Sequence, residues 1–128
     1  MKTLFWDSIF VGLGSMIGGV SRFLVTKWLL TSCGDSYPWG TLTVNLVGCL
    51  LIGMLGGYFS REGIMSESMR LFLTIGFCGG FTTFSTFINE NFFMLSNSQI
   101  ISSILYTTVS FIGGLALIFI GNMIIKAF

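Results

Sequence analysis

The 128-residue chain has no histidine, one proline, three cysteines and charge on only 9% of its residues. Each shortage closes off some chemistry. Without imidazole there can be no His-based metal centre and no Ser-His or Cys-His pair for nucleophilic catalysis. Cys33, Cys49 and Cys78 are an odd set without metal-ligand spacing, so they mark neither a disulfide framework nor a zinc site. Six Lys/Arg against five Asp/Glu leave a net charge of +1, which offers no electrostatic footprint for nucleic acid. So little raw material for catalysis remains that the chain is not expected to be an enzyme.

What remains is apolar. Hydrophobic residues make up 53% of the chain and the mean hydropathy is +0.90, far from the charged surface that a soluble domain of this size needs. No charge falls in Ser36–Ser60, Leu71–Asn89 or Asn91–Ile125, and about 20 apolar residues in a helix cross the hydrocarbon of a bilayer. Four spans are therefore predicted, Ile9–Leu30, Trp39–Phe59, Leu71–Leu95 and Ile100–Ile125, in a single all-α membrane domain covering 1–128. The apolar start continues past Arg22 without a small-x-small cleavage site, which reads as a retained first helix and not a signal peptide. Ser60–Arg70, with Arg61, Glu62, Glu67 and Arg70, is the most soluble connection. Lys2, Arg61, Arg70 and Lys126 would share one side and Lys27, joined by Arg22, the other, favouring an inward N-terminus.

Most of the 17 glycines lie within spans. Gly14/Gly18 and Gly53/Gly57 are GxxxG pairs, which let helix backbones approach closely in lipid; they suit a crossing within the chain and a subunit interface equally well. Polar residues form stripes. At about 100° per residue, Thr83, Thr86 and Glu90 share one face of the third span, and Phe84, Phe87 and Asn91 a neighbouring one. Tyr106, Ser110 and Gly114 repeat every four residues on the fourth span, and Thr41 and Asn45 do so on the second. Single Ser and Thr residues commonly bond their own helix. Asn45 has amide demands its helix cannot meet, and polar stripes on three of four spans point to an ion path.

The stripes offer hydroxyl and amide donors and the positive ring edges of phenylalanine, with no acidic ring to select cations, so a small anion is the expected cargo. The Gly79-Gly80 pair allows the third helix to break, freeing carbonyls for a monovalent cation or for water. Four helices are too few to enclose such stripes, so a two-fold dimer is expected.

Gly76–Phe87 followed by Glu90 resembles the signature of the Fluc/CrcB fluoride-channel family. Gly40–Asn45 is similar to its second-helix motif, and Gly18–Arg22 to its first-helix motif. The resemblance implies an antiparallel dual-topology dimer in the cell membrane, passively exporting fluoride and relieving its toxicity. The partner would be a second copy, or a paralogue of opposite orientation. By motif position Phe84 and Phe87 would line the fluoride route, Asn45 would donate to the anion, and Thr41, Tyr106, Ser110 and Glu90 would form a polar track. The carbonyls of Gly79 and Thr82 would hold a structural sodium ion that is not transported. Ile88 and Gly114 stand where some relatives carry serine. A proton-coupled exporter of cationic drugs would need a carboxylate deep in the first span, which instead holds Arg22 and no acid beyond Asp7 at its start. A non-transporting assembly subunit would explain the glycines but not the Phe/Thr/Asn stripes.

Overall fold

A computed structural model describes residues 1–61, 63 and 65–128; Glu62 of the second connection lies outside them. The described elements are helical throughout. Helix α1 is Lys2–Cys33 and α2 is Trp39–Phe59; the third span comprises α3 (Glu67–Leu71), a π-helical segment Phe72–Cys78, α4 (Gly79–Phe81) and α5 (Phe84–Ser96), and α6 is Ile100–Ala127. Four runs are long and apolar enough to cross a membrane, Lys2–Cys33, Trp39–Phe59, Glu67–Ser96 and Ile100–Ala127, in agreement with the four expected spans. They overrun the hydropathy limits because a continuing helix keeps its backbone hydrogen-bonded through the interfacial layer. Helix α1 stops at Gly34, whose N–H still reaches the Leu30 carbonyl at 3.0 Å and whose φ of 78° then turns the chain out of the helix, a conformation open to glycine.

The helices pack as two glycine-mediated crossings. Against the third span, a Cβ on Gly14 or Gly18 would strike the Phe72 or Phe77 carbonyl, and one on Gly80 would strike that of Ser15. Between α2 and α6, a Cβ on Gly53 would strike the Ile118 carbonyl, and one on Gly121 the Leu50 carbonyl. Both GxxxG pairs thus serve contacts inside the chain, where close backbone approach replaces the hydrophobic drive that lipid does not supply.

The interruption of the third helix expected near Gly79-Gly80 is present, centred at Thr82-Thr83. Gly79 is itself helical (φ −62°, ψ −39°), whereas Thr82 (φ −88°, ψ 161°) and Thr83 (φ −151°, ψ 122°) are extended. The reason is packing. Gly80 spends its missing side chain on contact with Ser15, so that turn stays helical, and the opening passes to two β-branched residues that favour extended backbone.

Ser68 Oγ donates to Asp7 Oδ1 at 3.1 Å, and the Arg61 guanidinium donates to the Ile125 carbonyl at 2.9 Å. These bonds gather both termini and the second connection at one end of the bundle. The first and third connections form the other end, where Leu42, Met94 and Tyr106 make a small core backed by Tyr37, Leu46 and Phe87.

Candidate functional site

The break is held by a side chain from the neighbouring helix. Asn45 of α2 donates from Nδ2 to the Thr83 carbonyl at 2.9 Å, while Oδ1 accepts from the Thr83 N–H at 2.8 Å. The N–H that would close a helical turn on Gly79 is thereby turned to α2. On its own side of the break, Thr82 Oγ1 donates to the Cys78 carbonyl at 2.9 Å. Thr83 Oγ1 caps α5 by accepting from the Thr86 N–H at 3.3 Å, and it lies 3.0 Å from Thr86 Oγ1, so the last segment starts as a regular N-capped helix. The amide of Asn45 keeps one further proton beyond this clasp.

Nearly two turns into α5 the carboxylate of Glu90 joins three helices. Thr41 Oγ1 of α2 donates to Oε1 at 2.6 Å, and Tyr106 OH of α6 donates to Oε2 at 2.7 Å. Thr41 is 4% exposed and Tyr106 fully buried, while Glu90 is half-buried, so both bonds are short and their donors are shielded from solvent. Glu90 is therefore pinned by hydroxyls from both sides, not snorkelling from the end of its span. The Phe87 ring lies 5.0 Å from that of Tyr106 at an interplanar angle of 54°. Phe84 is 6.0 Å from Phe87, but is 75% exposed and turned outward from the bundle. Ser110 Oγ, a turn beyond Tyr106, is buried without a hydrogen-bond partner among the described residues. At Gly114 the space a side chain would take is met by Cys49, whose Sγ lies 3.1 Å from a Cβ built there, so the fourth-helix stripe ends against a thiol.

Thr41, Glu90, Tyr106 and Phe87 are thus brought together as one cluster, with Asn45, Thr82 and Thr83 at the break. Thr83 and Thr86 pair with each other and not with Glu90. The sequence reading did not assign a second cluster: Asn91 Oδ1 accepts from Ser103 Oγ at 2.7 Å and from Thr107 Oγ1 at 3.1 Å. The signal available was Ser103 and Thr107 four residues apart on one helix, beside the Tyr106 stripe.

A cavity of about 560 Å³ opens at the end formed by the first and third connections, with Thr41 and Glu90 in its lining together with Lys27, Tyr37, Trp39 and Met94. Burial pushes the Tyr37 phenol up, so it stays neutral; its ring packs edge-on to Tyr106 at 5.7 Å. Among the described residues no three His, Cys, Asp or Glu side chains are grouped to hold a metal ion.

A family profile described as "CrcB-like protein, Camphor Resistance (CrcB)" matches residues 9–122. The chain is 37% identical over 126 residues to the fluoride-specific ion channel FluC of Flavobacterium psychrophilum, covering 98% of both chains. It is 40% identical over 118 residues to the protein of the same name from Chlorobium phaeobacteroides, covering 92% of this chain and 91% of that one. Against the Leptospira interrogans protein of that name it is 40% identical over 120 residues, with 94% of each covered.

Proposed function

The chain belongs to the CrcB family, and from that membership and the hydroxyl donors converging on Glu90 we propose that it is a fluoride-selective channel, passively exporting fluoride and relieving its toxicity. It is a multi-pass protein of the cell membrane and not an enzyme. The observation that carries the reading is the pair of O–H donors, from Thr41 and Tyr106, aimed at the two oxygens of one anion. Each hydroxyl has a single proton, now given to Glu90, so fluoride, a compact anion and a strong acceptor, would take a donor by displacing a carboxylate oxygen from it. Chloride is larger and a weaker acceptor, and recovers less of its hydration on entering.

Fluoride enters through the cavity, whose lining holds Lys27 together with Asp35 and Glu90. It reaches the Thr41–Glu90–Tyr106 cluster and passes the edges of Phe87 and Phe84. The unpartnered hydroxyl of Ser110 and the remaining amide proton of Asn45 serve as further donors. The exposed Phe84 ring needs an opposite wall, which a second copy in antiparallel orientation, or a paralogue of opposite orientation, would supply. Lipid covers the remaining apolar surface. Nucleic acid has no part.

A structural sodium ion fits the break. The Thr83 N–H is committed to Asn45, so the Gly79 carbonyl loses its helical donor, and extended Thr82 turns its own carbonyl out of the helix. Backbone carbonyls orphaned in hydrocarbon need a partner, and the Gly79 and Thr82 carbonyls would hold the ion at the dimer axis, where it supplies positive charge beside the anion routes.

Purified protein in liposomes, followed with fluoride- and chloride-selective electrodes, is expected to release fluoride rapidly and chloride negligibly. Fluoride loss no faster than from protein-free liposomes would overturn the proposal. In a separate arm, exchanging all sodium for a large organic cation is expected to depress fluoride release; undiminished release in that arm removes the sodium ion and leaves the channel standing.

A further inference from the structure

Several polar side chains of the spans bond their own helix, as Thr26 does to Arg22, Thr74 to Arg70 and Thr82 to Cys78. Bonds from one span to another are concentrated around the break and α5. Those of Asn45 and Glu90 belong to the proposed pathway. Apart from the Ser68–Asp7 bond at the far end of the bundle, Asn91 makes the others, and the pathway does not use it.

Asn91 is 8% exposed and Ser103 6%, whereas Thr107 is exposed, so the amide is buried and one of its two hydroxyl partners lies at the surface of the bundle. Oδ1 receives Ser103 Oγ and Thr107 Oγ1, which fills both of its acceptor positions, and Nδ2 donates to the Phe87 carbonyl at 3.0 Å. The cluster joins only α5 and α6. Glu90 and Asn91 are consecutive, so their side chains leave α5 about 100° apart. Through them α5 is tied to α6 in two directions, to Tyr106 by the carboxylate and to Ser103 and Thr107 by the amide. One tether leaves a helix free to roll about its axis; two at this angle fix its rotation and its register. The same rotation places the Phe87 ring against Tyr106, and the amide's own donor bond ends on the Phe87 carbonyl.

We infer that Asn91, held by Ser103 and Thr107, is a positioning residue that sets the rotation of α5 and so fixes where the Phe87 ring and the Glu90 carboxylate meet the anion. Asn91 itself touches no fluoride. The inference rests on the fluoride-channel reading.

The test uses the full chain in liposomes at about one channel per vesicle. Two quantities are separated, the fraction of vesicles that empties, which counts assembled channels, and the rate at which they empty, which reports the pathway. Asn91→Leu keeps the branched outline of the side chain, with somewhat larger bulk, and removes the tether. It is expected to slow emptying roughly tenfold and to narrow the fluoride-over-chloride preference, with the emptied fraction unchanged. Ser103→Ala combined with Thr107→Val should slow emptying similarly, and adding Asn91→Leu to that pair should slow it no further, because one interaction has been removed from either side. Ser103→Thr keeps the hydroxyl and should empty at the wild-type rate. A variant set that changes only the emptied fraction would make the cluster purely structural and overturn the inference, as would an unchanged rate in Asn91→Leu. If Asn91→Leu fails to assemble, the Ser103/Thr107 pair, which keeps the amide and its bond to Phe87, decides by the same two quantities. Wild-type protein that releases no fluoride takes down the channel reading and this inference together; a conducting wild type with indifferent variants takes down this inference alone.

Discussion

Asn45→Leu is expected to abolish fluoride release and to destabilise the protein in detergent at the same time. Leucine repeats the branched outline of asparagine with somewhat larger bulk but offers neither the donor to the Thr83 carbonyl nor the acceptor for its N–H. The Thr83 N–H sits at a break in the middle of a span, where water is scarce and no helical partner exists, whereas the Thr83 carbonyl also heads α5 as its N-cap. A buried donor left unsatisfied costs about 1–3 kcal/mol, a sizeable part of the stability of a small domain. The segment can recover only by closing toward a continuous helix, which would withdraw the Gly79 and Thr82 carbonyls and shift α5 with Phe84, Phe87 and Glu90. Asn45→Asp separates the terms, because it keeps the acceptor for the Thr83 N–H and loses the donor; it should retain more stability than leucine while still conducting poorly. Fluoride release from Asn45→Leu within about twofold of wild type, a difference of a few tenths of a kcal/mol in barrier, would mean that the clasp does not shape the pathway.

Hydropathy alone locates the four spans, because burying twenty or so apolar residues in lipid outweighs any local preference. The glycine spacing also carries over, since a backbone crossing in lipid demands small residues whichever helix comes to meet them. Contact partners were less legible. The face shared by Thr83, Thr86 and Glu90 rests on counting 100° per residue from Thr83, yet Thr83 is extended and lies outside α5. Its hydroxyl is drawn to Thr86 as an N-cap, a bond local to the helix start, and Glu90 is left to Thr41 and Tyr106. The position of the break had a similar cause. Glycine flexibility suggested Gly79-Gly80, but Gly80 is committed to Ser15 and the clasp from Asn45 lands one turn later. Asn91 was visible on a stripe beside Phe87, whereas its partners lie across the turn at Asn97–Gln99. That turn includes Ser98 at φ 61°, and its path sets the phase of α6 against α5. Periodicity within either helix holds no information about that phase.

Phe84→Ile and Phe87→Ile are each expected to cut fluoride release by roughly tenfold or more, but with different effects on stability. Isoleucine keeps apolar bulk and removes the ring, whose edge carries the partial positive charge that an anion can use. Phe87 packs on Tyr106 with ring centroids 5.0 Å apart, and such a contact is worth about 0.5–1.5 kcal/mol beyond its area, so Phe87→Ile should also lower the melting temperature. Phe84 is 75% exposed and its aromatic neighbour is Phe87, so Phe84→Ile should leave the stability of the individual chain almost unchanged. A packing role for the stripe predicts the reverse ordering, with the exposed position indifferent and the half-buried one sensitive. Phe111 on α6 supplies the control, being 73% exposed and away from the Glu90 cluster; Phe111→Ile should release fluoride at the wild-type rate. If Phe84→Ile and Phe87→Ile both conduct as Phe111→Ile does, the rings are lipid-facing and core bulk, and the anion must travel by the hydroxyls of Thr41, Tyr106 and Ser110 without them.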